Sequence, residues 1–262
     1  HELAFGCDEY LLLRGYIPGI VQLETESDKI DFTIEHTESE DKKVIQGEDY
    51  IHISDTWAGV FSADMYHLLY GIIRVQFLKR NLFSIHGACV GKDDYVLIVG
   101  HSGTGKTSVL LKLLEDKDIK IFSGNKTVVS FESGNMKAIA GTSTITIRGS
   151  DKDKLHELNI VDYIEYWGRY AFMLNSERYE KRGSARIKAI VTVRLNNYVQ
   201  ECKQINSLDA LHSLYPFFLD SVNADVVISD ASDVFIGTAP KGTEKYLVTQ
   251  LKNILKDAPV YS

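Results

Sequence analysis

Cysteine is scarce in this chain and scattered: Cys7, Cys89 and Cys202 lie far apart and form no C-x-x-C pair. That excludes a disulfide framework and a thiolate zinc site, and it suits a reducing cytoplasm, the expected location. Long apolar runs are missing too. No stretch approaches the length needed to cross a bilayer, and the opening His1-Glu2-Leu3-Ala4 lacks the pattern of a secretory leader, so no membrane partner is expected. Positive charge is in deficit. A net charge of −7 and a pI near 5.6 exclude a general nucleic-acid-binding surface as the main business of the chain. Internal repeats and low-complexity linkers are also absent. What remains is 262 residues with 44% hydrophobic content, enough to bury a core in one large domain or two small ones.

Against that background one motif stands out. Residues 100–107 read Gly-His-Ser-Gly-Thr-Gly-Lys-Thr, the pattern G-x-x-x-x-G-K-[ST] of a phosphate-binding P-loop. The apolar run Tyr95–Val99 precedes it and the helix-forming Ser108-Val109-Leu110-Leu111-Lys112-Leu113-Leu114 follows. A buried strand turning through glycines into a helix aims successive N–H groups and the positive end of the helix dipole at one point. The whole stretch Gly100, His101, Ser102, Gly103, Thr104, Gly105, Lys106, Thr107 and Ser108 is therefore the expected nucleotide cradle. Within it the amides of Gly103 to Lys106 would hold the β-phosphate, Lys106 would bridge β- and γ-phosphates, and the Thr107 hydroxyl would reach Mg²⁺. His101 occupies a variable position of the motif, and Ser108 is expected to cap or pack.

The coarse pattern predicts a β-rich N-terminal region over 1–80 and a P-loop core over 81–262. In the first, strand-like runs cover Tyr10–Leu13, Ile30–Ile34 and Val44–Ile53, with Glu38 to Lys43 as a solvated hairpin tip between the last two. Helical spacing of Met65, Leu68, Leu69, Ile72, Val75 and Phe77 predicts a helix over Ala63–Arg80. Strands follow at Phe83–Val90, Tyr95–Val99, Ile119–Phe122, Thr127–Phe131, Met136–Ala140, Thr142–Arg148 and Ile187–Leu195. Only some have helices between them, and Glu132-Ser133-Gly134-Asn135 reads as a hairpin tip, so an α/β fold with a mixed sheet is expected. Helices are predicted at Leu208–Leu219 and Glu244–Lys256, with a last short strand at Pro259–Tyr261.

The run Ile85-His86-Gly87-Ala88-Cys89-Val90, a turn, and then the strand and P-loop resembles the HPr kinase family of protein-serine kinases. The loop spelling Ser-Gly-Thr-Gly-Lys-Thr is similar to that of ATP-dependent phosphoenolpyruvate carboxykinase, and Thr142 to Gly149 resembles the family strand ending in Ile-Arg-Gly. The resemblance covers Phe83 to Arg148. It implies an ATP- and Mg²⁺-dependent kinase with the HPr kinase/carboxykinase nucleotide core, acting on a hydroxyl of a small molecule or peptide, and a possible homo-oligomer. It also exposes a departure. Those families carry an Asp-Asp pair after the strand that follows the P-loop helix, and Gly124-Asn125 stands there in this chain. An amide oxygen can ligate a metal but cannot accept a proton at neutral pH, so the inherited base is missing.

The substitutes are few. His86 has the right pKa range for proton transfer, or is a satisfied strand histidine. Asn125 joins Thr107 as a candidate metal ligand. Lys126 could lie along the phosphates or be a solvated turn lysine, and Arg148 could contact phosphate or form a surface ion pair. Alternatives to a kinase are an ATP-binding regulator and a P-loop ATPase with other chemistry. ATP is favoured over GTP because Asn125-Lys126-Thr127-Val128 lacks the final Asp of a guanine-recognition motif. Two further groups were candidates: the basic stretch Asn175 to Lys188 as a phosphate-closing loop or a solvated turn, and Tyr163, Tyr166, Trp167, Tyr170 and Phe172 as a stacking platform or core.

Overall fold

A computed structural model describes residues 14–20, 33–41, 43–47, 49–55, 63–149, 155, 158–166, 168–195, 201–223, 226–229, 234–237 and 239–262. The expected strand Tyr10–Leu13 and Trp167 lie outside them. The first layer is a three-stranded sheet of β1 (Thr33–Glu38), β2 (Lys43–Gln46) and β3 (Tyr50–Asp55) in the order β1-β3-β2. The polar turn after β1 is thus not a simple hairpin tip: β3 lies between β1 and β2, parallel to the first and antiparallel to the second. Helix α1 (Ala63–Lys79) then delivers the chain to the main sheet.

That sheet contains β4 (Phe83–Ile85), β5 (Gly87–Gly91), β6 (Tyr95–Val99), β7 (Lys120–Ser123), β8 (Thr127–Glu132), β9 (Asn135–Gly141) and β13 (Ala185–Thr192). Its path is β4-β8-β9-β13-β6-β5-β7. β13 runs parallel to β6 and antiparallel to β9, so the sheet is mixed as expected, and β8 and β9 form the hairpin around Ser133-Gly134. β14 (Gln204–Ile205) and β17 (Val260–Tyr261) extend it beside β13.

One consequence of this order matters for the site. β4 and β5 are consecutive in the chain, separated only by His86, yet they sit near opposite ends of the path. The sheet must therefore curl until its ends approach, and a hydrogen bond from Thr127 Oγ1 on β8 to Gly87 O on β5 (2.8 Å) ties the approach together. The single expected strand Phe83–Val90 is broken at His86 for that reason, and His86 is the exposed residue between two fully buried runs.

Both faces of the sheet are covered, and β6 shows how. Tyr95, Leu97 and Val99 point into one core with Phe83, Leu214, Phe218, Leu247 and Leu251, while Ile98 points into a second with Leu110, Ile145 and Phe172. Period-two alternation along a strand that is apolar throughout buries each face separately. The first core is closed by α3 (Ser207–Val222) and α4 (Thr243–Ile254). Asn206 caps α3 by accepting from the N–H groups of Leu208 and Asp209, each at 3.0 Å. The second core is closed by α2 (Lys106–Leu113) and a small antiparallel sheet of β10 (Ile145–Arg148), β12 (Arg169–Leu174) and β11 (Ile160–Tyr166). A β15–β16 hairpin (Val226–Ser229 and Val234–Gly237) completes the described elements.

Candidate functional site

The motif-bearing loop leaves β6 at Gly100 and enters α2 at Lys106. Gly103 (φ 79°) and Gly105 (φ 101°) adopt left-handed backbone, where a side chain is strained, and a Cβ on Gly105 would also lie 2.5 Å from the Leu195 side chain. The chain beyond β13 runs along the loop as a brace: Val193 N–H donates to Val99 O at 2.8 Å and Leu195 N–H to Thr104 O at 2.9 Å. α2 begins on Gly105 with no side-chain cap and no acidic residue in its first turn. Its leading amides are thus left for an anion, and nothing local opposes one. Lys106 folds back on the loop, donating to Gly100 O (2.6 Å) and His101 O (3.0 Å), and burial holds its pKa below the ordinary lysine value. The Thr107 hydroxyl faces β10, 3.5 Å from Thr146 O. Ser102 and Ser108 are exposed, and so is His101, whose ring lies 4.8 Å from that of Phe217 on α3.

Arg148, at the end of β10, brings its Nη2 to the loop: a Cβ on Gly103 would sit 3.5 Å from it. The guanidinium is exposed and has no hydrogen-bond or ion-pair partner among the described residues. From the other side the β4–β5 bend presents His86. Crowding by the surrounding protein lowers its pKa to about 4, helped by the charges of Lys106 and Lys126 and opposed by the Asp220 carboxylate and a hydrogen bond with Asn125. His86 is open to solvent yet neutral throughout the physiological range.

The turn at 124–126 is held by Thr142. Its hydroxyl oxygen accepts from the N–H groups of Asn125 (3.0 Å) and Lys126 (2.9 Å), and its carbonyl accepts from Gly124 N–H (2.8 Å). The packing is so close that a Cβ on Gly124 would lie 2.7 Å from Thr144 O. A residue with a side chain, acidic or otherwise, does not fit at that position without backbone movement. The Asn125 amide is oriented from outside: Nδ2 donates to Gly15 O at 3.1 Å, which leaves Oδ1 for His86 or a metal. Lys126 is turned away from the loop. Its Nζ donates to Tyr16 O (2.9 Å) and lies over the rings of Tyr16 (4.6 Å) and Tyr70 (3.9 Å). Burial, with Arg74 nearby, lowers its pKa to about 7.

Residues 14–20 thus form part of the site. Besides Gly15 and Tyr16, Arg14 Nε donates to Ser143 Oγ (2.8 Å), Gly19 N–H donates to Gly141 O (3.0 Å), and Ile17 is buried with Tyr70, Ile164 and Ala171. Nothing in the sequence of this segment marks it, because its hydrogen bonds to Asn125 and Lys126 are through the backbone carbonyls of Gly15 and Tyr16. Asp220 was equally hidden: the expected helix stopped at Leu219, whereas α3 runs to Val222 and carries Asp220 to the neighbourhood of His86 and Tyr70.

The other sequence candidates lie elsewhere. Arg178 donates to the carbonyls of Leu114 (2.8 Å) and Asp116 (3.1 Å), Arg182 to the Glu180 carboxylate (2.7 Å) and Arg186 to Asn135 Oδ1 (2.9 Å), so the basic stretch braces surface turns. Of the aromatic group, Tyr170 and Phe172 alternate into the core on β12, while Tyr163 is 54% exposed and stacks on Tyr170 at 5.0 Å. Among the described residues no group of three or more His, Cys, Asp or Glu side chains could hold a metal by itself, and no helix is long and apolar enough to cross a membrane.

The sequence matches no protein-family model and no curated protein. Among solved structures it is similar to the HPr(Ser) kinase/phosphatase from Coxiella burnetii, at 9% identity and a TM-score of 0.28, over 66% of this chain and 88% of that one. A likeness that loose carries no argument about function. The α/β architecture with its curled, mixed sheet stands on its own geometry, and the functional reading rests on the residues of the site.

Proposed function

We propose that this protein is an ATP- and Mg²⁺-dependent phosphotransferase that phosphorylates a hydroxyl group of a small molecule or peptide. The observation that carries the reading is convergence: the uncapped start of α2, Lys106, Arg148 and His86 meet around one glycine-rich loop that spells the P-loop motif. The triphosphate would lie on the amides of residues 103–106, with Lys106 released from the loop carbonyls to the phosphates and Arg148 on the oxygens that gain charge in the transition state. Thr107 Oγ1 and Asn125 Oδ1 are the side-chain oxygens available to Mg²⁺, which would draw its remaining ligands from phosphate and water and neutralise phosphate charge.

In this reading His86 takes the acceptor proton. A base with a pKa near 4 is weak; burial, the main cause, remains when nucleotide binds, while the negative charge of a bound triphosphate offsets the smaller depression by Lys106 and Lys126. Phosphoryl transfer has a loose transition state, so modest proton acceptance with good positioning suffices. The test is incubation with ATP, Mg²⁺ and a panel of hydroxyl acceptors: product and ADP in equal amounts support the reading.

One observation favours a second reading, an ATP-binding regulatory protein. Asn125 Nδ2 and Lys126 Nζ are both occupied by the carbonyls of residues 15 and 16, so the turn that is acidic in the resembled kinases is here packed as structure. Tight ATP binding in calorimetry without ADP formation would select it.

A further inference from the structure

We propose that Arg74 and Lys126 are the anion-binding pair of an acceptor subsite, so that the hydroxyl compound phosphorylated here carries a carboxylate or phosphate group of its own. The inference rests on the phosphotransferase reading and narrows its acceptor to an anionic one.

Two cations without a counter-ion share one aromatic ring. Lys126 Nζ lies 3.9 Å and Arg74 Cζ 5.3 Å from the centre of the Tyr70 ring. Among the described residues neither forms an ion pair with a carboxylate; Lys126 has one oxygen acceptor, Tyr16 O at 2.9 Å, and Arg74 Nε is buried without any hydrogen-bond partner. The Asp220 charge reaches Tyr70, but Asp220 pairs with neither cation. A ring face attracts a cation, yet it offers an N–H group no oxygen and carries no net charge to offset two. Like charges held together beside an orphaned donor are costly until something completes them. An oxyanion completes both, because a carboxylate or phosphate accepts from an ammonium and a guanidinium at once. Both side chains are only half-buried, which leaves them open to a ligand.

Strand register puts this pair beside the phosphate loop. β4 and β8 pair Ser84 with Val128 and Ile85 with Thr127, so one step further sets His86 across from Lys126. β5 and β6 pair Ala88 with Ile98 and Gly87 with Val99, so one step back sets His86 across from Gly100. His86 thus stands between the loop and Lys126. One strand spacing, about 4.8 Å, separates it from each, a reach that a three-carbon acceptor spans. α1 closes the other side: Tyr70 and Arg74 are one helical turn apart on a shared face, and the Tyr70 hydroxyl, 2.9 Å from Ser84 Oγ, ties the ring to β4. An acceptor with its hydroxyl at His86 lays its anionic group on Arg74 and Lys126.

The test uses the full chain and three compounds on one scaffold: glycerol, glycerate and glycerol 3-phosphate. Each is titrated by calorimetry into protein saturated with ADP and Mg²⁺, so that the phosphate loop is filled, and each is assayed for phosphate transfer from ATP. At least one of the two anions should bind about 10-fold more tightly than glycerol, and the order of the two separates a carboxylate from a phosphate. Arg74→Gln and Lys126→Met should each erase about 10-fold of anion affinity, Arg74→Lys should keep most of it, and the Kd for ATP should stay within about twofold. Lys126→Met removes one of two like charges, so it remains readable if Arg74→Gln fails to fold and loses ATP binding. No preference for either anion over glycerol in the parent, or a preference untouched by the substitutions, would overturn the proposal. If the anions bind and the variants weaken them while no acceptor receives phosphate, the phosphotransferase reading fails and the anion subsite stands. If glycerol is phosphorylated as fast as either anion, the reading stands and the subsite fails.

Discussion

The two halves of the candidate site are built from opposite materials. The phosphate half, Gly100 to Thr107, is backbone: left-handed glycines, an uncapped helix start and a brace of main-chain hydrogen bonds from residues 193–195. The half facing it, residues 124–126 with His86, is side chain: a clamping threonine hydroxyl, an oriented amide, an enclosed lysine and an imidazole. Backbone amides bind any phosphate and tolerate little change. Side chains set the proton chemistry, so a change at residues 124–126 leaves the opposite wall intact. In the proposed phosphotransferase the difference makes binding and turnover separable, and each can be broken alone.

The largest expected effect falls on the side-chain half. His86→Gln should lower kcat by about 10²–10⁴, the ordinary worth of a general base, with the KM for ATP little changed in steady-state assays. Breaking the backbone half needs its one charged group: Lys106→Ala should weaken ATP binding by about 10- to 100-fold in calorimetry, at roughly 1.5–3 kcal/mol for a charge-assisted contact. The comparison sharpens at the turn itself. Placing an acid at Gly124 (Gly124→Asp) should cost about 1–3 kcal/mol of stability in denaturant unfolding, since the new Cβ meets Thr144 O at 2.7 Å. Asn125→Asp leaves the backbone contacts with Thr142 intact but loses the donor to Gly15 O, so it should cost about 1–3 kcal/mol in denaturant unfolding, while the acid limb of activity moves up because a carboxylate beside His86 favours the imidazolium.

The smallest effect is on stability against pH. His86 has a folded pKa of about 4 against an ordinary 6.5, so between those values the unfolded chain binds the proton and the native one does not. Stability should fall as pH drops from 6.5 to 4, and His86→Gln should remove that part of the slope. Lys126 has the same sign in a higher window: folded near 7 against 10.5, it should make stability rise with pH across that range, and Lys126→Met should flatten the rise. Thermal unfolding followed by circular dichroism across pH reads both.

The legibility of the two halves in the sequence differs for the same reason. The loop was readable because its geometry demands particular residues at fixed spacing, and the strand before it, Tyr95–Val99, has the expected bounds. The break at His86 was not, since a sheet that curls until β4 and β5 part company is set by long-range pairing with β8 and β7. Strands β11 and β12 were read only as an aromatic group, because Tyr170 and Phe172 mark a buried strand face as readily as a stacking platform. Lys126 looked like a turn lysine, and what encloses it, Tyr16 and Tyr70, comes from segments 110 and 56 residues away in sequence. Asp220 lay one residue past the end assigned to its helix, a boundary that apolar periodicity defines poorly.

The most direct test of the central claim is a single-turnover experiment with γ-labelled ATP, Mg²⁺ and a panel of hydroxyl acceptors, run on the parent and His86→Gln at equal ATP occupancy. The account predicts label transfer to an acceptor by the parent and at least about 100-fold slower transfer by the variant. Equal rates in the two, or saturating ATP binding with no label leaving ATP in either, would contradict it.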